Sequence, residues 1–220
     1  MKPADFASWV ARMASHAGVK TDQLLLGGDH LGPNPWRDEP VAAAMRKAEM
    51  LVRSYVEAGF QKIHLDASMA CDGEPRPSFS DIAQRAAHLC RIAEDYAPDP
   101  SKLIYVIGSE VPVPGGETDD MQDLQITTPE RLDETVQTHE AAFRKEGLEG
   151  AWERVVSVVT QPGVDFSHSS VHQFDPAAAV DLVAAIDRHP RLTFEGHSTD
   201  YQPTSSLAQL VERHVLFLKV

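Results

Sequence analysis

Six short apolar runs punctuate the chain: "DQLLLGG", "QKIHLDAS", "KLIYVIGSE", "RVVSVVTQPG", "RLTFEGHST" and "HVLFLKV". Several are near-continuous in Val, Ile and Leu without clean alternation, as parallel strands covered on both faces are. Helical stretches lie between them. "EPVAAAMRKAEMLVRSYVEAG" sets Val41, Met45, Ala48, Val52 and Val56 on one face and stops at Gly59, a C-cap residue. "FSDIAQRAAHLCRIAEDY" predicts another helix, with Ser80 as its cap. Thr128-Pro129 and Asp175-Pro176 each place a capping side chain before a proline at the first helical position.

Strands alternating with helices predict an α/β fold with a parallel sheet. No Pro/Gly/Ser-rich linker interrupts the chain, so residues 1–220 read as one domain. Polar residues follow the strands: Asp29-His30, Asp66, Glu110, Gln161, His197 and Asp200. A (β/α)8 barrel gathers such residues at its carboxyl-terminal mouth. A doubly wound open sheet gathers them at its switch point, but no Gly-x-Gly-x-x-Gly opens a helix here. The barrel is the preferred reading. It is an incomplete one, with six strands where closure needs eight, and with two raw edges.

The bulk properties exclude several classes. A formal net charge of −13 argues against nucleic acid and anionic membranes as partners. No apolar run approaches the roughly 20 residues of a membrane span, and "MKPADFASWVARM" lacks the layout of a secretion signal. Cys71 and Cys90 form no Cys-x-x-Cys motif and read as reduced thiols of a cytoplasmic protein.

In "LLLGGDHLGPNPW" an apolar strand is read as ending on Gly27-Gly28, with Asp29 and His30 held at a cavity rim. Pro33 and Pro35 stiffen the loop, and the glycines admit close approach of a ligand or a packed partner. His64 and Asp66, two apart on a strand, share a face. They are either a polar pair under the cavity or a buried hydrogen bond fixing strand order. Glu110 and Glu117 flank "VPVPGG"; Glu110 serves proton transfer, metal ligation or loop anchoring. Glu195 and His197 share a strand face, and Asp200 caps the next turn or hydrogen-bonds His197. Lys219 offers a Schiff-base amine, but a lysine ending a strand is more simply solvated. His139, His168, His172, His189 and His214 lack ligand spacing and read as surface residues.

Taken together, "LLLGGDHLGPNPW", "EAGFQKIHLDASMACDGEP", "YVIGSEVPVPGGE", "VVTQPGVDF" and "FEGHSTDYQ" resemble the non-catalytic subunit family of class II D-tagatose-1,6-bisphosphate aldolase, which also contains ketose and uronate epimerases. The resemblance is collinear over essentially the whole chain and implies barrel strands three to eight, from members close to twice as long. A truncated gene, a misassigned start or a fragment would each produce such a chain. The distant catalytic class II aldolases pair a proton-donating Asp with a zinc-binding His; Asp29 and His30 match that pair. The resemblance implies Glu195 and His197 as further ligands of a divalent metal such as zinc, and Asp29 or Glu110 is the candidate acid–base group. Gln161 stands where those aldolases have a histidine and is a poor zinc ligand, which breaks the familiar set. The implied partners are a catalytic aldolase subunit and a phosphorylated ketose, in galactitol and amino-galactose breakdown. The rival implication is a metal-dependent epimerase of ketoses or sugar acids that acts alone.

Overall fold

The computed structural model describes residues 1–110 and 124–220. Glu117 and the rest of "VPVPGGE" fall outside the described residues. Six parallel strands form one sheet: β1 (Gly27–Leu31), β2 (Lys62–Leu65), β3 (Ile104–Ile107), β4 (Val155–Thr160), β7 (Thr193–Gly196) and β8 (Val215–Leu218), hydrogen-bonded in that order. Each falls within or beside one of the six apolar runs. The first strand is displaced, however. Leu24 to Leu26 precede it, and it starts at Gly27, where the sequence reading ended it. Pairing sets that boundary: the Leu26 carbonyl accepts from Gln61 and Lys62, and register then runs Gly27 to Lys62 and Gly28 to Ile63. A two-residue hairpin, β5 (Asp165–Phe166) with β6 (Val171–His172), was too short to announce itself.

The helices are α1 (Pro3–His16), α2 (Val41–Glu57), α3 (Phe79–Tyr96), α4 (Pro129–Lys145), α5 (Glu149–Trp152), α6 (Val180–Ala185) and α7 (Thr204–Glu212). In α2 the buried residues are Ala44, Ala48, Val52 and Val56, and the chain turns at Gly59 with φ 87°. The cap of α3 is Ser78, not Ser80. Its Oγ accepts the Asp81 N–H while the Asp81 carboxylate accepts the Ser78 N–H, a reciprocal capping box that outweighs a lone serine. Thr128 caps α4 ahead of Pro129 as the sequence predicts. Asp175 accepts from Ala177 but caps only a turn, because α6 starts at Val180. Among the described residues no helix is long and apolar enough to cross a membrane.

Strand periodicity divides the sheet into two faces. Ile63, Leu65, Tyr105, Ile107, Val158 and Phe194 point outward and join the main core beneath the helices. The register places His64 beside Val106 and Val159 beside Glu195 on the opposite face, where Val106 and Val159 form their own small apolar cluster. That inner face is strongly curved. Three inter-strand steps of ~4.8 Å separate β2 from β7, about 14 Å in a flat sheet, yet Lys62 Nζ lies 2.6 Å from Glu195 Oε2. Lys219, just past edge strand β8, reaches Asp29 on the other edge at 3.5 Å. The architecture is a curled six-stranded half-barrel, consistent with an incomplete (β/α)8 barrel.

Gly32 shows how tightly the first loop is held. A Cβ there would stand 1.5 Å from the Asp66 carbonyl oxygen, which no rotamer change relieves. Gly32→Ala is expected to cost about 1–3 kcal/mol of unfolding free energy, the range for overpacking, read by urea denaturation. A cost below ~0.5 kcal/mol, the level of ordinary surface substitutions, would show that the two loops separate freely.

Candidate functional site

β1 delivers two adjacent side chains to the inner face, which regular alternation forbids. A β-bulge resolves this: the register passes from Gly28–Ile63 to Leu31–Leu65, so Asp29 and His30 together stand opposite His64. His30 adopts φ 50°, and its N–H points at His64 Nδ1, 3.4 Å away. Gly28 permits the fit, since a Cβ would come within 2.7 Å of Leu31 and Tyr55 side-chain carbons. The glycine therefore serves a packed partner.

Eight ionisable side chains, on β1, β2 and β7 or just past β2, β7 and β8, then meet. His30 Nδ1 is 2.8 Å from Asp66 Oδ2, and Asp66 Oδ1 accepts from the Ser68 hydroxyl and N–H. His197 Nε2 is 3.0 Å from Glu195 Oε1. Lys62 Nζ bridges Asp29 (2.8 Å) and Glu195 (2.6 Å), with the Phe217 ring centroid 5.0 Å away. Lys219 Nζ lies 3.2 Å from both Glu195 Oε1 and His64 Nδ1 and 3.3 Å from His30 Nε2. The rings of His30, His64 and His197 sit with centroids 5.1–5.6 Å apart.

The electrostatics follow from burial opposed by charge. Burial alone would raise the carboxyls of Glu195 and Asp66. In Glu195 it is overcome by the His197 hydrogen bond and nearby positive charge, and in Asp66 by the His30 hydrogen bond, so both lie far below the ordinary range. Asp29 is also lowered: Lys219 and Lys62 outweigh its partial burial. The same carboxylates raise Lys62 against its own burial. Burial dominates in His64 and His197, whose pKa values are lowered, so both imidazoles are held neutral.

Neutral imidazoles are metal ligands. One ligand atom from each of His30, His64 and His197 lies within 4.8 Å of the others, as do atoms of Asp29, His64 and Glu195. His30 also carries a supporting carboxylate. With Nδ1 engaged by Asp66, Nε2 is the ring nitrogen turned toward the centre, the arrangement that orients metal-binding histidines. This donor set suits a divalent ion that accepts nitrogen ligands.

Of the residues singled out from sequence, Asp29, His30, His64, Asp66, Glu195 and His197 converge. Glu110 does not join them through any contact among the described residues; its Oε1 pairs with Arg131 Nη2 on α4 at 2.5 Å. His197 bonds to Glu195 instead of Asp200. Gln161 builds a turn, its Oε1 accepting from Gly163 and Val164. Two lysines join the converging residues: Lys62, which residue type alone does not mark, and Lys219, which the sequence reads as a solvated strand end. Lys62 has a side chain only 9% exposed, and Lys219, read as solvated, has one only 17% exposed. Period-2 spacing was the available signal, because 62, 64 and 66 share one face as 217 and 219 share another. His139 is likewise fully buried on α4, bonded to the Thr135 carbonyl, and His189 is largely buried against Asp133. Cys71 and Cys90 are free and buried.

A family model described as D-tagatose-1,6-bisphosphate aldolase subunit GatZ/KbaZ-like matches residues 1–220. A crystal structure of a probable tagatose 6-phosphate kinase from Sinorhizobium meliloti 1021 is 42% identical and superposes with a TM-score of 0.89, covering 100% of this chain and 53% of that one. The chain thus spans about half the length of that relative. A putative fructose-1,6-bisphosphate aldolase from Coccidioides immitis, at 17% identity and a TM-score of 0.51 over 82% of this chain and 60% of that one, shares the fold. The chain belongs to the GatZ/KbaZ-like family of D-tagatose-1,6-bisphosphate aldolase subunits.

Proposed function

We propose that the protein is the non-catalytic subunit of a tagatose-1,6-bisphosphate aldolase, needed for activity and stability of a catalytic partner in cytoplasmic breakdown of galactitol and amino-galactose. The carrying observation is the family match along all 220 residues. Gln161 agrees with it, since the side chain at that strand end is committed to backbone and offers no metal ligand. Such a subunit acts by binding only the folded form of its partner, which draws the partner's unfolding equilibrium toward the native state.

The convergence of His30, His64 and His197 favours a second reading, a metal-dependent epimerase of a ketose or sugar acid. His30, Glu195 and His197, joined by His64, would hold the ion, which supplies Lewis-acid polarisation of a carbonyl oxygen when bound. Asp29 is the group placed to take a proton. Its carboxylate is kept ionised by Lys62 and Lys219, yet is 45% exposed where a sugar could reach it.

Co-expression with a catalytic aldolase subunit separates the two. The helper reading expects a severalfold longer half-life and higher turnover of that subunit; no change in either rejects it. Epimerised ketose phosphate formed by the purified chain with one bound divalent ion per molecule establishes the second reading instead.

A further inference from the structure

The side chain at the centre of the cluster is Lys219. An ammonium group has three N–H donors and no acceptor. It hydrogen-bonds His30 Nε2 (3.3 Å) and His64 Nδ1 (3.2 Å) and forms an ion pair with Glu195 Oε1 (3.2 Å), partners brought by three different strands. Asp29 Oδ1 stands just beyond, at 3.5 Å. Its three N–H groups thus face two imidazole nitrogens and a carboxylate, and these three partners are drawn from the two residue groups that would hold a divalent ion. The two nitrogen lone pairs are already aimed inward. His30 spends Nδ1 on Asp66, while His64 Nδ1 faces both Lys219 and the His30 N–H. Imidazole nitrogens of this kind suit a transition-metal dication well.

Charge points the same way. Counting carboxylates and ammonium groups alone, Asp29, Asp66 and Glu195 face Lys62 and Lys219, so negative charge is in excess by one. Lys62 is fixed, buried between Asp29 and Glu195 under Phe217. Lys219 is the more exposed of the two and has a long flexible stem. Exchanging its single charge for a dication balances the cluster.

We propose that Lys219 is a tethered cation that competes with divalent metal: its ammonium holds the His30, His64 and Glu195 donors together, and a metal of the zinc, manganese or nickel type enters as Lys219 swings out. The inference rests on the reading of the cluster as a metal site. It adds that metal affinity is set by an internal competitor, and that metal entry releases a primary amine to the rim.

The test titrates zinc and manganese into the full chain and into Lys219→Met by calorimetry. In parallel, lysine acetylation by acetic anhydride is read residue by residue by mass spectrometry. Methionine keeps length and apolar stem while removing the charge. One ion per chain is expected in both proteins. Binding should be about tenfold or more tighter in Lys219→Met, because the wild type must give up charge-assisted hydrogen bonds. Saturating metal should also speed acetylation of wild-type Lys219 severalfold while Lys62 stays protected. Equal or weaker binding in the variant, with unchanged Lys219 acetylation, overturns the competition and leaves the metal site standing. No ion bound by either protein overturns the metal site and the competition together. Should Lys219→Met fail to melt cooperatively, the acetylation result on the wild type decides alone: faster labelling with metal upholds the competition, and unchanged labelling refutes it.

Discussion

Replacing Glu195 by leucine is expected to lower the unfolding free energy by about 3–5 kcal/mol, the cost of removing one partner from buried ion pairs. Glu195 is completely buried and answers Lys62, Lys219 and His197 at once. Leucine fills similar space but leaves Lys62 with Asp29 as its remaining carboxylate partner among the described residues. The cost is thus electrostatic, which a double replacement can show. In Glu195→Leu/Lys62→Met a large part of the loss should return, because exchanging a buried pair for apolar groups is often neutral or better. Urea unfolding of the two single variants and the double variant makes the measurement. A loss below ~1 kcal/mol for Glu195→Leu, typical of exposed pairs, would mean that water screens these charges and that the cluster is open.

Acid is expected to destabilise the fold in two windows. The first belongs to the buried histidines. Burial lowers His139 to about 4 despite its hydrogen bond to the Thr135 carbonyl, and burial lowers His64 as well. An unfolded histidine titrates near ~6.5. Below that pH the unfolded chain takes up protons that the native chain refuses, so stability falls as pH falls, by up to ~1.4 kcal/mol per pH unit for each histidine. Between pH 6.5 and 4.5 the two together cost about 4 kcal/mol, since the unfolded imidazole is only half protonated at the upper limit. The second window belongs to Glu195, Asp66 and Asp29, whose pKa values are depressed in the native state. Their contribution is complete above the ordinary carboxylate range near ~4 and drains away as pH drops below it. Urea midpoints taken from pH 7 to pH 3.5 test the order of the windows. His139→Leu, which lies outside the site, should remove at most about half of the first loss, the rest belonging to His64 and His197. Superimposable curves for variant and wild type would dismiss buried histidine as the cause.

How far the sequence could be read depended on the range of the interactions. The strands near the middle of the sheet were plain because "KIHL", "LIYVI" and "VVSVV" are rich in Val, Ile and Leu. Their neighbours cover both faces, so no partner need be known. Thr128-Pro129 was plain for the same local reason, since a cap and its helix lie within four residues. Ser80 was misread in favour of Ser78 because two serines compete within one turn and the reciprocal Asp81 contact decides. His139 could have been recognised, as it continues the buried spacing of Leu132, Val136 and Phe143 along α4.

The site was half legible. Asp29-His30 and Glu195/His197 were found by residue type and by their place at strand ends. Of their common neighbours, Lys62 was not found and Lys219 was read as solvated, because a lysine in isolation belongs in water and becomes a buried pairing group only when carboxylates surround it. The alternation of strand and helix, the helix caps and the polar strand ends are properties of neighbouring residues, and the chain alone determined them. The bulge that turns Asp29 and His30 to one side, and the curl that brings β2 against β7, belong to the tertiary structure. They fix which charges meet across distances that strand spacing alone would keep apart, and Coulomb and metal-ligand interactions are decided at that separation.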